Sequence, residues 1–166
     1  MRVIGIDPGL TRTGYGAVRR SGGALECDGF GVITTAPGES TAARLAELGS
    51  NVSTLLSAIE PDVVAVEEVF FNSNVRTAMS VGQAAGVVLA TAAYAGLDVV
   101  TYTPTEVKQS VVGFGGATKA QMGHMVAHLL RLPGPQPPAD ASDACGLAIC
   151  HLNRSRLTRA IEQADT

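Results

Sequence analysis

Three strand-like runs fall before Thr34 with only short turns between them. Arg2 to Ile6 is short and β-branched and stops at Asp7-Pro8-Gly9, while Gly14 to Arg20 and Leu25 to Thr34 are joined by Ser21-Gly22-Gly23. Parallel neighbours need a crossover of about a dozen residues, so strands this closely spaced must pair antiparallel. The period then changes. Leu45, Leu48, Val52, Leu55, Leu56 and Ile59 recur at spacings of three and four, as on one helix face. Pro61 ends that element, and the apolar run Asp62 to Val66 behind it suits a parallel crossover. An uncharged helix from Thr77 follows, then a strand over Asp98 to Tyr102 and a short helix near Glu106 to Val112. Beyond the loop of Gly113, Gly115 and Gly116, Thr118 and Gln121 form a capping box for a helix to about Leu132. Pro133 to Pro138 is a stiff connection, and Asp140 to about Asn153 is the last helix. The pattern predicts one mixed α/β domain over residues 1–153. A polar tail over 154–166, with Arg154, Arg156 and Arg159, need not be ordered.

Composition permits this domain and restrains the choice of partners. At 166 residues and 46% hydrophobic, the chain can bury one substantial core. A formal charge of -3 argues against a uniformly basic binder of nucleic acid. If four acids are reserved for metal, however, 15 acids less those four leave 11 against 12 Lys and Arg, a surface a phosphate backbone can approach. Cys27, Cys145 and Cys150 have neither zinc nor redox-pair spacing, and the last two sit in an apolar run. They point to a reducing cytosol. No basic region followed by a long apolar segment opens the sequence, so no signal peptide is expected. Thr77 to Leu97 lacks charge over a length that can span a bilayer, but it is mostly Ala, Gly, Ser and Thr. It reads as a buried helix, and Gly82 and Gly86 would let a sheet or a partner subunit approach closely.

The chemistry lies in acids at the ends of elements. Asp7 ends the first strand, where the ligand crevice of an α/β sheet opens, though an aspartate there can equally bond its own turn. Glu67 and Glu68 end the buried run Asp62-Val63-Val64-Ala65-Val66 on opposite faces. Alternation alone cannot choose between them. Asp140 and Asp143, three apart, share one helix face, and first-turn acids also serve simply to cap a helix and complement its dipole. If two strand-end and two helix-start acids converge, their mutual repulsion calls for cations. Hard oxygen ligands suit Mg²⁺, and two such ions roughly 4 Å apart can stabilise both the attacking and leaving oxygens of phosphodiester hydrolysis.

Five blocks now align with a known family. Ile4-Gly5-Ile6-Asp7-Pro8-Gly9 with Thr13-Gly14-Tyr15-Gly16 resembles the opening of the RuvC family of Holliday junction resolvases. Val66-Glu67-Glu68-Val69-Phe70, Gly82-Gln83-Ala84-Ala85-Gly86, Val107 to Gly113, and Ala139-Asp140-Ala141-Ser142-Asp143-Ala144 follow in the family's order. The resemblance implies a ribonuclease H-like fold with a five-stranded mixed sheet, and a homodimer that nicks a four-way junction symmetrically. It places four catalytic, metal-binding acids on Asp7, Glu67, Asp140 and Asp143, choosing Glu67 over Glu68. Lys119 and Lys108 match lysines near the active site and DNA, and Phe70 matches an aromatic that stacks on bases near the junction centre. Arg76 is close enough in sequence to add a phosphate contact. The uncharged helix matches the family's dimer contact.

The activity so implied is Mg²⁺-dependent hydrolysis, with Mn²⁺ as a substitute ion, leaving 5′-phosphate and 3′-hydroxyl ends during recombination and repair. The family also implies an association with the RuvA–RuvB branch-migration complex and a cytoplasmic location. Three rivals differ in testable ways. A nuclease for RNA–DNA hybrids or single strands would act as a monomer, and a junction-binding protein without activity would lack one of the acids. An actin-like ATPase would need two related domains on a longer chain.

Overall fold

The strands that the turns force together form one side of a five-stranded sheet. The computed structural model describes residues 1–69, 75–134 and 136–164, with side chains for 1–69, 77–134 and 136–156. Strand β1 (Arg2–Asp7) pairs antiparallel with β2 (Arg12–Ser21), and β2 with β3 (Ala24–Thr34). Helix α1 (Thr41–Ile59), capped by the Ser40 side chain on the Ala43 N–H, then crosses back so that β4 (Val63–Glu67) lies parallel to β1. Helix α2 (Val75–Tyr94) leads to β5 (Asp98–Tyr102), parallel to β4, and the sheet order is β3-β2-β1-β4-β5. Helices α3 (Pro104–Val112), α4 (Lys119–Leu129) and α5 (Ala139–Ala164) complete the chain. No helix among the described residues is long and apolar enough to cross a membrane.

Alternation along the central strands sorts the core into two layers. Ile4 and Ile6 of β1 and Val64 and Val66 of β4 pack with Leu48, Val52 and Leu56 of α1 and Ala84 and Val88 of α2. Val3 and Ala65 face the other way, onto Val107 of α3, Met122 and Val126 of α4, and Leu147, Ile149 and Leu152 of α5. Each Val, Leu, Ile or Met among them, fully buried, stabilises the fold by about 1.5–3 kcal/mol. Cys145 and Cys150 are buried in this second layer, as their apolar setting suggests.

Two helix ends and one helix face differ from the pattern in the sequence. Helix α4 closes at Leu129 rather than near Leu132, because Arg131 adopts a left-handed φ of 50° and the Leu132 N–H turns back to the Ala127 carbonyl. Helix α5 does not stop near Asn153 but runs to Ala164, through most of what reads as a polar tail. The Asn153 amide bonds the Ser110 carbonyl, and Arg154 pairs with Glu106 at 2.7 Å while lying 5.4 Å from the Tyr102 ring centroid. These contacts carry the helix beyond its apolar stretch. Helix α2 is buried on one side only. Ala78, Ala84, Ala85, Val88 and Ala92 face inward, whereas Met79, Gly82, Gly86, Ala90 and Ala93 form an exposed stripe. The open space around Gly82 and Gly86 shows that the sheet is not the close neighbour they allow.

Candidate active site

Register and parity bring the strand-end acids together. Ile6 lies opposite Val66, so Asp7 and Glu67 follow side by side at the carboxyl ends of β1 and β4. Asp7 shares the face of Val3, and Glu67 that of Val63 and Ala65, which is the face covered by α3 and α5. Glu68 falls on the opposite parity and is exposed. The turn after Asp7 is fixed by Thr13, which is fully buried: its hydroxyl donates to the Gly9 carbonyl at 2.8 Å and accepts from the Gly9 N–H.

Helix α5 reaches these acids because three glycines leave room for it. A Cβ at Gly5 would collide with the Ala144 carbonyl, one at Gly14 with the Asp140 carbonyl, and one at Gly16 with the Cys145 sulfur. The sheet surface is bare where α5 crosses, so the helix lies directly on the backbone of β1 and β2. Asp140 and Asp143 ride on its first turns beside Asp7.

Asp7, Glu67 and Asp143 line one cleft of about 390 Å³, together with Lys108 of α3 and Lys119 of α4. Pro8, Val81, Pro104, Val107 and Met122 form the rest of its wall. Lys119 is the first residue of α4, behind a capping box between Thr118 and Gln121, and its Nζ lies 3.1 Å from Asp143 Oδ2. Asp140 does not line the cleft. Its Oδ2 accepts from Arg12 Nε at 2.7 Å. As the side chains stand, no three His, Cys, Asp or Glu among the described residues converge closely enough to hold an ion.

The electrostatics show a site short of positive charge. Burial first, and then repulsion from Glu67, Asp143 and Asp140, pushes the Asp7 carboxyl up to about 8, with Lys119 pulling the other way. Glu67 is raised by burial and by Asp143, offset by a hydrogen bond with Asp7 and by Lys119 and Lys108. The hydrogen bond to Asp143 chiefly raises Lys119, which keeps it protonated. Two half-buried acids side by side, both raised by burial and by neighbouring carboxylates, are a place where a cation would relieve the repulsion.

Of the remaining sequence candidates, Phe70 lies outside the described residues, as does the Arg76 side chain, although Arg76 itself belongs to the first turn of α2. Arg12 is the residue that sequence reasoning misses. Its partner is 128 positions away, and only the pairing of β2 beneath α5 reveals the contact.

An α/β sheet of this order, with carboxylates from two central strands and a crossing helix around one cleft, defines a ribonuclease H-like nuclease fold. The chain belongs to the RuvC family: the family model for crossover junction endodeoxyribonuclease RuvC matches residues 3–151. A crossover junction endodeoxyribonuclease RuvC from Roseiflexus sp. strain RS-1 is 47% identical over 98% of this chain and 96% of the relative. One from Salinispora arenicola is 48% identical over 99% and 97%. The structure of Thermus thermophilus RuvC in complex with a Holliday junction substrate superposes with a TM-score of 0.89, at 36% identity over 95% of this chain and 96% of that one.

Proposed function

We propose that this chain is a crossover junction endodeoxyribonuclease that resolves four-way DNA junctions as a homodimer, using a divalent cation, Mg²⁺, in each site. The observation that carries the reading is the acid pair Asp7 and Glu67, both raised, in a cleft shared with Asp143 and two lysines. Family membership, and the junction held by the Thermus relative, support the substrate. The all-oxygen donor set fits Mg²⁺, with Mn²⁺ able to substitute. Asp7, Glu67 and Asp143 would hold the cation, with Asp140 joining them from α5. When bound, it would neutralise the carboxylates, polarise the scissile phosphate and acidify the attacking water.

The side chains do the rest. Asp7, raised to about 8 without the ion, would bind it as the carboxylate, and Asp7 and Glu67 orient water in line with the scissile bond. Attack at phosphorus breaks the bond to the 3′ oxygen, leaving a 3′-hydroxyl and a 5′-phosphate. Lys119, and Lys108 across the cleft, offset charge that builds on the phosphate oxygens. Phe70 stacks on a base near the junction centre, and Arg76 adds a phosphate contact. Symmetric nicks need two sites, and the uncharged stripe on α2 supports a partner copy there, since its glycines let helices approach closely. Residues 1–153 act as one nuclease unit in the cytoplasm, with RuvA–RuvB as the associated motor.

Cleavage of an end-labelled mobile four-way junction in Mg²⁺, beside linear duplex and an RNA–DNA hybrid, tests this. Paired nicks at symmetric positions in the junction alone are expected. Preferential cutting of the hybrid would instead place the chain with the hybrid nucleases, and tight binding without cutting would leave a junction-binding protein.

A further inference from the structure

The four acids are not in equivalent surroundings. Asp7 and Glu67 stand side by side at the strand ends in the cleft, whereas each helix-start acid is already paired with a cationic surface side chain. Lys119 covers Asp143 and Arg12 covers Asp140. Asp140 is also the acid that stands outside the cleft lining. The family resemblance gives Lys119 a place near DNA and gives Arg12 none.

Arg12 projects from a firmly held base. The Arg44 guanidinium of α1 donates to the Leu10 carbonyl, the Thr11 hydroxyl at 2.8 Å and the Thr35 hydroxyl at 2.9 Å. Thr35 in turn donates to Leu10 and, through its N–H, to the Thr11 carbonyl. Beyond that frame the Arg12 side chain is 53% exposed, and Asp140 is its one partner among the described residues. An exposed ion pair of this kind is weak and readily exchanged. A guanidinium also has five donors in a planar fork suited to phosphate, and Asp140 engages only Nε.

We infer that Arg12 is a second phosphate-binding group of this site, held in reserve by Asp140 and handed to the DNA backbone when a divalent cation draws Asp140 away. The inference rests on the metal-dependent reading of the cleft. It makes cation and DNA cooperate: the cation frees the arginine, and the phosphate that takes the arginine keeps Asp140 available. Without DNA, the Arg12 charge opposes loading, both by occupying Asp140 and by direct repulsion.

The test uses the full chain with Arg12→Gln and Arg12→Lys, each first shown by thermal melting to be folded. Free Mn²⁺ is titrated by electron paramagnetic resonance without DNA. A labelled four-way junction is titrated by anisotropy in Ca²⁺ between about 50 and 200 mM KCl. Arg12→Gln is expected to bind Mn²⁺ several-fold more tightly than wild type, yet to bind the junction several-fold more weakly. Its slope of log affinity against log salt should be shallower by about 0.9, the loss of one phosphate contact, while Arg12→Lys keeps the wild-type slope. Weaker Mn²⁺ binding in Arg12→Gln, or an unchanged salt slope, would overturn the inference and leave the metal-dependent reading standing. A wild-type chain that binds neither Mn²⁺ nor junction overturns both.

Discussion

The Asp7 carboxyl titrates near 8 in the folded chain, against an ordinary value of 3.8 once unfolded. Between those values the unfolded chain releases a proton that the folded chain retains, so without metal the fold loses stability as pH rises through this range. Asp7→Asn removes that cost. In chelator it should raise Tm by about 3–6 °C near pH 8 and by less than about 2 °C near pH 5. Added Mg²⁺ should stabilise the wild type and leave the variant nearly unmoved, because only a folded state with its ligands intact gains from the ion. Thermal melts at both pH values with and without Mg²⁺ check the sign. Lys119 makes a complementary case, since its side chain is 77% exposed and contributes little to the fold. Lys119→Met should cut the single-turnover rate by about 10²-fold with Tm unchanged within roughly 2 °C, as expected for a group that meets charge developing in the transition state. At this scale the sequence is legible wherever an acid ends an apolar run. Asp7 and Glu67 announce themselves by position, but the choice of Glu67 over Glu68 comes from the family resemblance, because alternation does not say which sheet face α5 covers. Arg12 is invisible because nothing local marks it.

Among the elements, α5 decides whether there is a site at all. Its buried stretch from Ala144 to Leu152 fastens it to the sheet, and Gly5, Gly14 and Gly16 set how closely it lies. Gly14→Ala pushes a methyl group into the Asp140 backbone, at the end of α5 that bears both acids. Overpacking of this sort costs about 1–3 kcal/mol, or roughly 3–10 °C in Tm, and the cleavage rate should fall about 10²-fold or more because Asp140 and Asp143 are displaced together. Melting and single-turnover cleavage of the same preparation separate the two effects. The elements themselves follow from pattern: turns force the β1–β3 meander, and the switch to three-and-four spacing marks α1. Ends are harder to read. Helix α4 stops where Arg131 adopts a left-handed conformation that its residue type does not advertise, and α5 outlasts its apolar pattern through polar contacts to α3 from distant sequence.

For the whole molecule, the exposed face of α2 matters most. A helix with no charge from Thr77 onward reads from sequence as internal, because its periodicity is faint when most positions are Ala, Gly, Ser or Thr. The fold shows that half of it is open, with Met79 at 59% exposure beside the bare backbone of Gly82 and Gly86. Gly86→Arg should halve the mass seen by light scattering while leaving Tm within a few degrees, and should convert paired nicks into single ones. Whatever the assembly, the proposed function stands on the carboxylates of Asp7 and Glu67 as a metal-dependent cutting centre for branched DNA. The most direct measurement is single-turnover cleavage of an end-labelled four-way junction at saturating protein in Mg²⁺, comparing wild type with Asp7→Asn and Glu67→Gln. Symmetric nicks are expected from the wild type and at least a roughly 10³-fold slower rate from each variant, with junction binding retained. Variants that bind and still cut at the wild-type rate would contradict the proposed function.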